Sequence, residues 1–110
     1  TTKIKLNIDD NLLKIIQEYI LSTFEEGGNC YHLSLKDKLF FGKTGTAQLM
    51  SMKDGKSFNN YQKEHALFTG GEKKSNLFIS IIVENAGFGI ETAGKFAVKL
   101  LNYIINNNFY

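Results

Sequence analysis

Residues 42–48 read Gly42-Lys43-Thr44-Gly45-Thr46-Ala47-Gln48, and they lie between two short apolar runs at 39–41 and 49–50. Strand-forming residues on both sides predict a strand with a glycine at its centre. A glycine inside a strand usually marks close approach by a ligand or another backbone. The period of two places the hydroxyls of Thr44 and Thr46 on one side, while Lys43 is long enough to reach the strand's edge. This pattern suits an extended substrate that carries a carboxylate.

Two further strands are predicted downstream, at Glu64–Thr69 and at Leu77–Glu84, with a connecting loop at 70–76. The last strand is apolar at nearly every position rather than alternating, so we expect it to be a central strand covered on both faces. The polar stretch at 51–63 contains Asp54-Gly55, a turn signal, and is predicted to form a long hairpin loop.

Amphipathic helices are predicted on both sides of the strands. The first begins after Asp9 or Asp10 as N-cap and ends at Gly27-Gly28. Its apolar positions recur at three- and four-residue spacing: Leu12, Leu13, Ile16, Tyr19, Ile20 and Phe24. The last helix has Thr92 as its expected N-cap. Its apolar stripe comprises Ala93, Phe96, Ala97, Leu100, Leu101, Ile104 and Ile105.

The region between the first helix and the glycine-centred strand, residues 30–38, is predicted to be a short extended piece followed by a turn. The complete order is helix, three antiparallel strands, helix. The sequence therefore predicts an α+β layered architecture in a single unit of 110 residues.

Composition excludes several classes of function. The net charge is only +2 and every lysine or arginine position is lysine, so there is neither a basic stripe nor an arginine fork for nucleic acid. A single cysteine, Cys30, has no partner for a disulfide or a zinc site and is expected to be a small, partly buried thiol. No apolar run of about 18 residues and no signal peptide is found, so the chain is expected to be soluble. No cofactor and no metal are expected.

Other candidate sites have simpler explanations. Gly42-Lys43-Thr44 could end a phosphate-binding loop, but that motif needs a glycine where Asp37 stands and a helix after the lysine. His65 has no second ligand at metal-site spacing, so we expect it to fix the sheet by a hydrogen bond. Glu84-Asn85 is best explained as a turn at the end of a strand.

The Lys43-Thr44-Gly45-Thr46 sequence resembles the third signature of the penicillin-interacting serine acyltransferases. Later blocks extend the resemblance, namely His65-Ala66-Leu67-Phe68-Thr69-Gly70, then Ile82-Val83-Glu84-Asn85-Ala86-Gly87, then the apolar terminal helix. In order and spacing the chain is similar to the end of the transpeptidase domain of class B penicillin-binding proteins, of the penicillin-binding protein 2 type. The resemblance implies that residues 1–110 are the C-terminal part of such a domain, with the serine β-lactamase/transpeptidase-like fold.

This resemblance also implies roles for individual residues. Lys43 would be catalytic, supplying positive field near a serine nucleophile and the carboxylate of the substrate or β-lactam. Thr44 and Thr46 would bind that carboxylate through their hydroxyls, and the Thr46 amide would be one oxyanion donor. Gly45 would keep the strand flat enough for the peptide to lie against it. The implied partners are peptidoglycan stem peptides ending in D-alanyl-D-alanine and, in the intact protein, β-lactams.

The nucleophile is not in this sequence, because no serine is followed three positions later by lysine. Ser57-Phe58-Asn59 fits a second family signature, but that signature precedes the lysine motif in the family. The resemblance thus implies a membrane-anchored periplasmic parent enzyme of the bacterial inner membrane, and a chain that is inactive alone. Two alternatives stay open: part of a β-lactamase or β-lactam sensor, and a non-catalytic interaction domain.

In the family, the strand matching 77–84 has a further neighbour that this sequence does not supply. An apolar strand with a free edge is a template for pairing with another chain. We therefore expect the chain to self-associate, either through the 77–84 edges or by exchange of terminal helices.

Overall fold

The computed structural model describes residue 4 and residues 7–48 and 64–110. Its main elements are α1 (Asp10–Ser22), β1 (Phe40–Ala47), β2 (His65–Glu72), β3 (Leu77–Val83) and α2 (Lys95–Asn106). The predicted order of helix, three antiparallel strands and helix is confirmed. The apolar run at 49–50, the predicted loop at 51–63 and its Ser57-Phe58-Asn59 sequence lie outside the described residues.

The three strands form one antiparallel sheet in the order β1-β2-β3. Gly42 pairs with Gly70 across β1 and β2, and Phe68 pairs with Ile81 across β2 and β3. Because side chains alternate along a strand, this register gives the sheet an inner face that carries most of the core and an outer face that carries Lys43 and Gly45.

The core lies between the inner face of the sheet, α2 and the segment that follows α1. Its buried apolar residues are Phe24, Cys30, Phe40, Ala66, Phe68, Ala93, Ala97, Val98 and Leu101. Phe24 connects the segment after α1 to the sheet, since its ring centroid lies 5.8 Å from that of Phe40 and 6.3 Å from that of Phe68. Aromatic pairs at these separations add to the hydrophobic stabilisation of the core.

A pair of glycines makes room for the Phe68 ring. A Cβ atom on Gly42 would lie 2.7 Å from Phe68 Cζ, and one on Gly70 would lie 2.8 Å from the same atom. The Gly70 Cβ would also lie 2.1 Å from the Phe41 carbonyl oxygen. The sheet therefore needs glycine at both positions if β1 and β2 are to pair beneath a buried aromatic ring.

The second strand is longer than the sequence predicts. The expected loop at 70–76 was wrong in its first half, because β2 continues to Glu72 and only residues 73–76 connect it to β3. Gly70 and Gly71 allow the close backbone approach, and Asn76 closes the turn with a φ of 56°. Glu72, expected in the loop, is buried at 1% exposure.

The last strand lies at an edge of the described sheet, so the expectation of a central strand covered on both faces was wrong for the residues described. Its inner-face residues are half-buried, whereas Phe78 is 71% exposed and Ile82 is 66% exposed on the outer face. The continuous apolar run predicted that other elements would cover both faces of the strand. Within the described residues, the helices contact mainly its inner face. The turn predicted at Glu84-Asn85 is confirmed, with Asn85 at a φ of 53°.

The first helix begins as predicted but ends early. Asp9 is its N-cap, and the Asp9 carboxylate accepts from the amides of Asn11 and Leu12. The end predicted at Gly27-Gly28 was wrong, because α1 stops at Ser22. There the Thr23 hydroxyl donates to the carbonyls of Ile20 and Gly42. Phe24 consequently belongs to the segment after the helix rather than to its apolar stripe.

Helix α1 packs loosely. None of its residues is buried, and a groove of about 350 Å³ separates it from the outer face near Phe41 and Phe78. The extended piece predicted after it was also wrong in part, since Tyr31–Leu33 is a short 3₁₀ helix.

A π-helical turn at Ile90–Gly94 precedes α2, and the Gly94 amide donates to the Gly89 carbonyl at 2.8 Å. Thr92 is not an N-cap as predicted, because its hydroxyl donates backward to the Phe88 carbonyl.

The apolar stripe predicted for the last helix was wrong at Phe96, which is 56% exposed. The buried face of α2 is centred on Ala97 and Leu101, which turns Phe96 away from the sheet. Over the described ranges, no helix has the length and apolarity needed to span a membrane.

Candidate functional site

The open edge of β1, on the side away from β2, carries the residues that the sequence singled out. The Lys73 amide donates to the Leu39 carbonyl, one position beyond the Phe40–Glu72 pair. In an antiparallel pair, successive residues of a strand direct their backbone N–H and C=O groups alternately toward the partner strand and away from it. This bond therefore places the backbone groups of odd-numbered β1 residues toward β2 and those of even-numbered residues toward the open edge. The amides and carbonyls of Thr44 and Thr46 therefore lie along that edge, without a strand neighbour among the described residues.

Lys43 reaches this edge from the outer face. Its side chain is exposed, and its Nζ donates to the Thr44 carbonyl oxygen at 2.6 Å. The neighbouring Gly42 carbonyl accepts from the Thr23 hydroxyl at 3.0 Å. Thr23 thus covers the beginning of the edge, and the ammonium of Lys43 lies beside the part that stays open.

The two threonine side chains lie on the inner face, opposite to Lys43 and Gly45. The Oγ1 atom of Thr46 accepts a hydrogen bond from the Gly89 amide at 3.2 Å. A hydroxyl can accept one hydrogen bond and still donate another, so Thr46 keeps a donor for an external acceptor. Thr44 is half-buried, and its Cγ2 atom lies 3.5 Å from the position a Cβ atom would take on Gly94. The turn before α2 therefore fixes the position of both threonines.

Gly45 differs from the other glycines of the sheet. A Cβ atom there would lie 3.4 Å from Leu67 Cβ and 3.9 Å from Leu67 Cδ1, and those are its nearest contacts. By contrast, a Cβ on Gly89 would lie 2.1 Å from the Gly45 carbonyl oxygen and 2.8 Å from that of Leu67. Packing of the fold thus requires glycine at 89 but not at 45.

Lys43 also affects the electrostatics of the nearby core. Burial raises the pKa of the Cys30 thiol above its ordinary value, and the positive charge of Lys43 partly offsets this rise. Cys30 is 1% exposed. The thiol is therefore neutral and more completely buried than the partly buried thiol that the sequence predicts, and it is not a nucleophile at this edge.

His65 lies at the other end of the β1–β2 pair, opposite Ala47. Its Nδ1 atom accepts a hydrogen bond from the Asn85 amide at 3.0 Å, so it ties β2 to the turn after β3, as predicted. In the described part of the chain, no group of three or more His, Cys, Asp or Glu side chains is placed to hold a metal ion.

A sheet edge that presents Lys-Thr-Gly-Thr is the feature through which this chain resembles the penicillin-interacting serine acyltransferases. Among proteins of known function, the chain is similar to the peptidoglycan D,D-transpeptidase MrdA of Haemophilus influenzae, with 39% identity over 72 residues. The match covers 59% of this chain and 11% of that protein. No family model matches the chain, and no solved structure matches it significantly. The similarity supports a penicillin-binding-protein-like function at the level of the family.

The sequence identified the candidate residues on β1 but not the contacts that hold them in position. The bond between Gly89 and Thr46 joins residues 43 positions apart. The only local signal was the Phe88-Gly89-Ile90 sequence before the last helix. Glu72 was missed as well, because a glutamate after two glycines is typical of a turn.

Proposed function

We propose that this chain supplies the substrate-lining strand of a penicillin-binding-protein-2-like peptidoglycan D,D-transpeptidase. In such an enzyme a serine cross-links stem peptides by acyl transfer, and penicillins acylate the same serine. The single observation that carries the proposal is the open edge at Thr44–Thr46, with the Lys43 ammonium beside it. The similarity to the Haemophilus influenzae transpeptidase adds support.

An extended peptide that lies along this edge would pair with the outward backbone groups of Thr44 and Thr46. The Thr46 amide would then be one of the donors to the carbonyl oxygen that becomes negative during acyl transfer. Its hydroxyl, which already accepts from Gly89, would donate to the terminal carboxylate of the peptide. Lys43 would provide the positive charge opposite that carboxylate.

Gly45 would allow the peptide to approach. A side chain at this position would project from the outer face beside Lys43, where the fold does not need the space. The nucleophilic serine and its lysine would come from residues outside this sequence, in a membrane-anchored periplasmic enzyme.

The decisive experiment measures acylation by a labelled penicillin in the protein that carries this sequence together with a Ser-x-x-Lys motif. Lys43→Ala should slow acylation about a hundredfold, the usual loss when a group that stabilises the transition state is removed. Lys99→Ala, which removes an exposed lysine on α2, should acylate at the wild-type rate and serves as the control. Acylation of Lys43→Ala at the wild-type rate would contradict the proposal.

A second measurement uses the 110-residue chain alone. Intact-mass spectrometry after incubation with the labelled penicillin should find no covalent adduct, because the sequence has no Ser-x-x-Lys. A stoichiometric adduct on any serine would require a different nucleophile and a different function. In the complete protein, rapid loss of the adduct by hydrolysis would favour the β-lactamase alternative.

A further inference from the structure

The imidazole of His65 continues the pairing of β2 with β3 beyond the end of the strands. The chain leaves β3 after Val83 and turns at Asn85. There the Asn85 amide donates to His65 Nδ1 at 3.0 Å. Two positions later the Gly87 amide donates to the Glu64 carbonyl at 2.9 Å. His65 thus supplies an acceptor of the kind that a backbone carbonyl supplies within an antiparallel ladder.

Residues 85–89, here called the crossing segment, carry the chain from the end of β3 past β2 to β1. At the far end of this segment the Gly89 amide donates to Thr46 Oγ1 at 3.2 Å. A Cβ atom on Gly89 would lie 2.1 Å from the Gly45 carbonyl oxygen, so the segment lies directly against β1. One short piece of backbone therefore joins the His65 acceptor to the Thr46 hydroxyl.

The start of the crossing segment has a conformation that needs support. Asn85 has a φ of 53° and Gly87 has a φ of 78°. The left-handed region is unfavourable for a residue with a side chain, so the hydrogen bond to His65 offsets a local cost at Asn85. Ala86, between these two residues, packs against the core. Without the Nδ1 acceptor the Asn85 amide would lose its partner, and the turn would relax.

We propose that His65 is a positioning residue for the hydroxyl of Thr46. This inference rests on the proposed function, in which that hydroxyl donates to the carboxylate of a stem peptide or a penicillin. Because Thr46 Oγ1 accepts from Gly89, its own proton is left to donate to the carboxylate. His65 fixes the start of the crossing segment and thereby the place of the Gly89 amide at its end. Support of this kind keeps a binding group within the narrow range of positions that recognition requires.

Two substitutions of His65 separate the hydrogen bond from the packing of the ring. An imidazole nitrogen accepts only when it carries no proton, so the neutral ring has its proton on Nε2. In His65→Asn the Oδ1 atom is attached to Cγ as Nδ1 is, and it keeps the acceptor while removing the ring. His65→Phe keeps a ring of similar shape and removes the acceptor. The two variants should therefore differ in the direction that the hydrogen bond dictates.

Hydrogen exchange measured by NMR on the 110-residue chain tests the positioning independently of any reaction. In His65→Phe the Gly89 amide should exchange at least about tenfold faster relative to the Leu101 amide of α2, because the crossing segment opens locally. His65→Asn should keep this ratio within about threefold of wild type. His65→Gln, whose amide lies one bond further from Cβ than Nδ1 does, provides a second loss of the acceptor and should resemble His65→Phe. A wild-type ratio in both His65→Phe and His65→Gln would overturn the proposal, as would faster exchange in His65→Asn than in His65→Phe.

Penicillin kinetics then test the link to the site, in the protein that carries this sequence together with a Ser-x-x-Lys motif. His65→Phe should weaken non-covalent binding of the penicillin about tenfold and change the rate constant of the acylation step less than about twofold, because the Thr46 hydroxyl contacts the carboxylate before and during the reaction. His65→Asn should restore binding. A slower acylation step with unchanged binding would contradict the proposed role of His65.

The two measurements distinguish failure of this inference from failure of the proposed function. Absence of acylation in the wild-type protein would overturn the proposed function, and the Gly89 exchange ratio would still decide whether His65 positions Thr46. Normal acylation of the wild type with unaltered penicillin binding in His65→Phe would overturn the inference alone.

Discussion

The amide of Leu39 donates to the Glu72 carboxylate at 2.9 Å, and this bond connects the residue before β1 to the last residue of β2. The other carboxylate oxygen accepts from the amide and the hydroxyl of Ser75, both at 2.8 Å. One buried side chain thereby satisfies backbone donors at the entrance of β1 and in the turn before β3. Hydrogen bonds to a charged acceptor of this kind stabilise a fold more than neutral ones.

Glu72→Gln should lower the free energy of unfolding by about 2 kcal/mol at pH 7, because an amide has only one accepting oxygen for these donors. Urea unfolding measures the loss. Glu84→Gln, which removes an exposed carboxylate next to β3, should change stability by less than about 0.5 kcal/mol. Equal effects of the two substitutions would contradict the role given to Glu72.

The same carboxylate makes stability depend on pH. Burial raises the pKa of Glu72, but the hydrogen bonds from Leu39, Ser75 and Lys74 outweigh it and hold the pKa below its ordinary 4.5. A carboxyl whose pKa is lower in the folded state contributes stability above its unfolded pKa and loses it as the pH falls through the folded value. Stability should therefore decline from about pH 4.5 downward, and in urea titrations at several pH values Glu72→Gln should decline less steeply than wild type.

Thr46→Val should lower the free energy of unfolding by about 1.5 kcal/mol, because it leaves the buried Gly89 amide without its acceptor. Thr46→Ser keeps the Oγ atom and should retain most of the stability. Urea unfolding of both variants distinguishes the lost hydrogen bond from the lost methyl group. A larger loss for serine than for valine would show that the methyl group, rather than the hydroxyl, supports the turn before α2.

Gly70→Ala and Gly45→Ala should have opposite effects on folding. At Gly70 the new methyl group would collide with the Phe41 carbonyl and the Phe68 ring, so we expect a loss of about 3 kcal/mol. At Gly45 it would meet only Leu67 at ordinary contact distance, so stability should be unchanged or rise by about 0.5 kcal/mol. If the proposed function is correct, Gly45→Ala will nevertheless slow acylation of the complete protein by penicillin. Destabilisation by Gly45→Ala would contradict the packing argument.

Cys30 should react with a disulfide reagent at least about a hundredfold more slowly in the folded chain than in urea, because burial and a raised pKa both suppress the thiolate. The measurement is the release of the coloured thiol with time at pH 8. Fast reaction of the folded chain would show that the segment after α1 opens readily.

The sequence by itself determined the elements and the candidate site. The alternation around Gly42–Gln48 predicted β1, and helical periodicity predicted α1 and α2, because local side-chain patterns follow the two backbone periods. The match of Lys43-Thr44-Gly45-Thr46 to a known signature identified the residues to examine. Apolar character also placed β3 correctly to within one residue.

Tertiary structure decided what the periodicity could not. A continuous apolar strand has the same pattern at the centre of a sheet and at an edge, so only strand order placed β3 at an edge of the described sheet. The end of α1 and the burial of Glu72 depend on partners distant in sequence, the Gly42 carbonyl and the Leu39 amide. The orientation of Thr46 likewise depends on Gly89, since a hydrogen bond between remote residues exists only after the layers have packed.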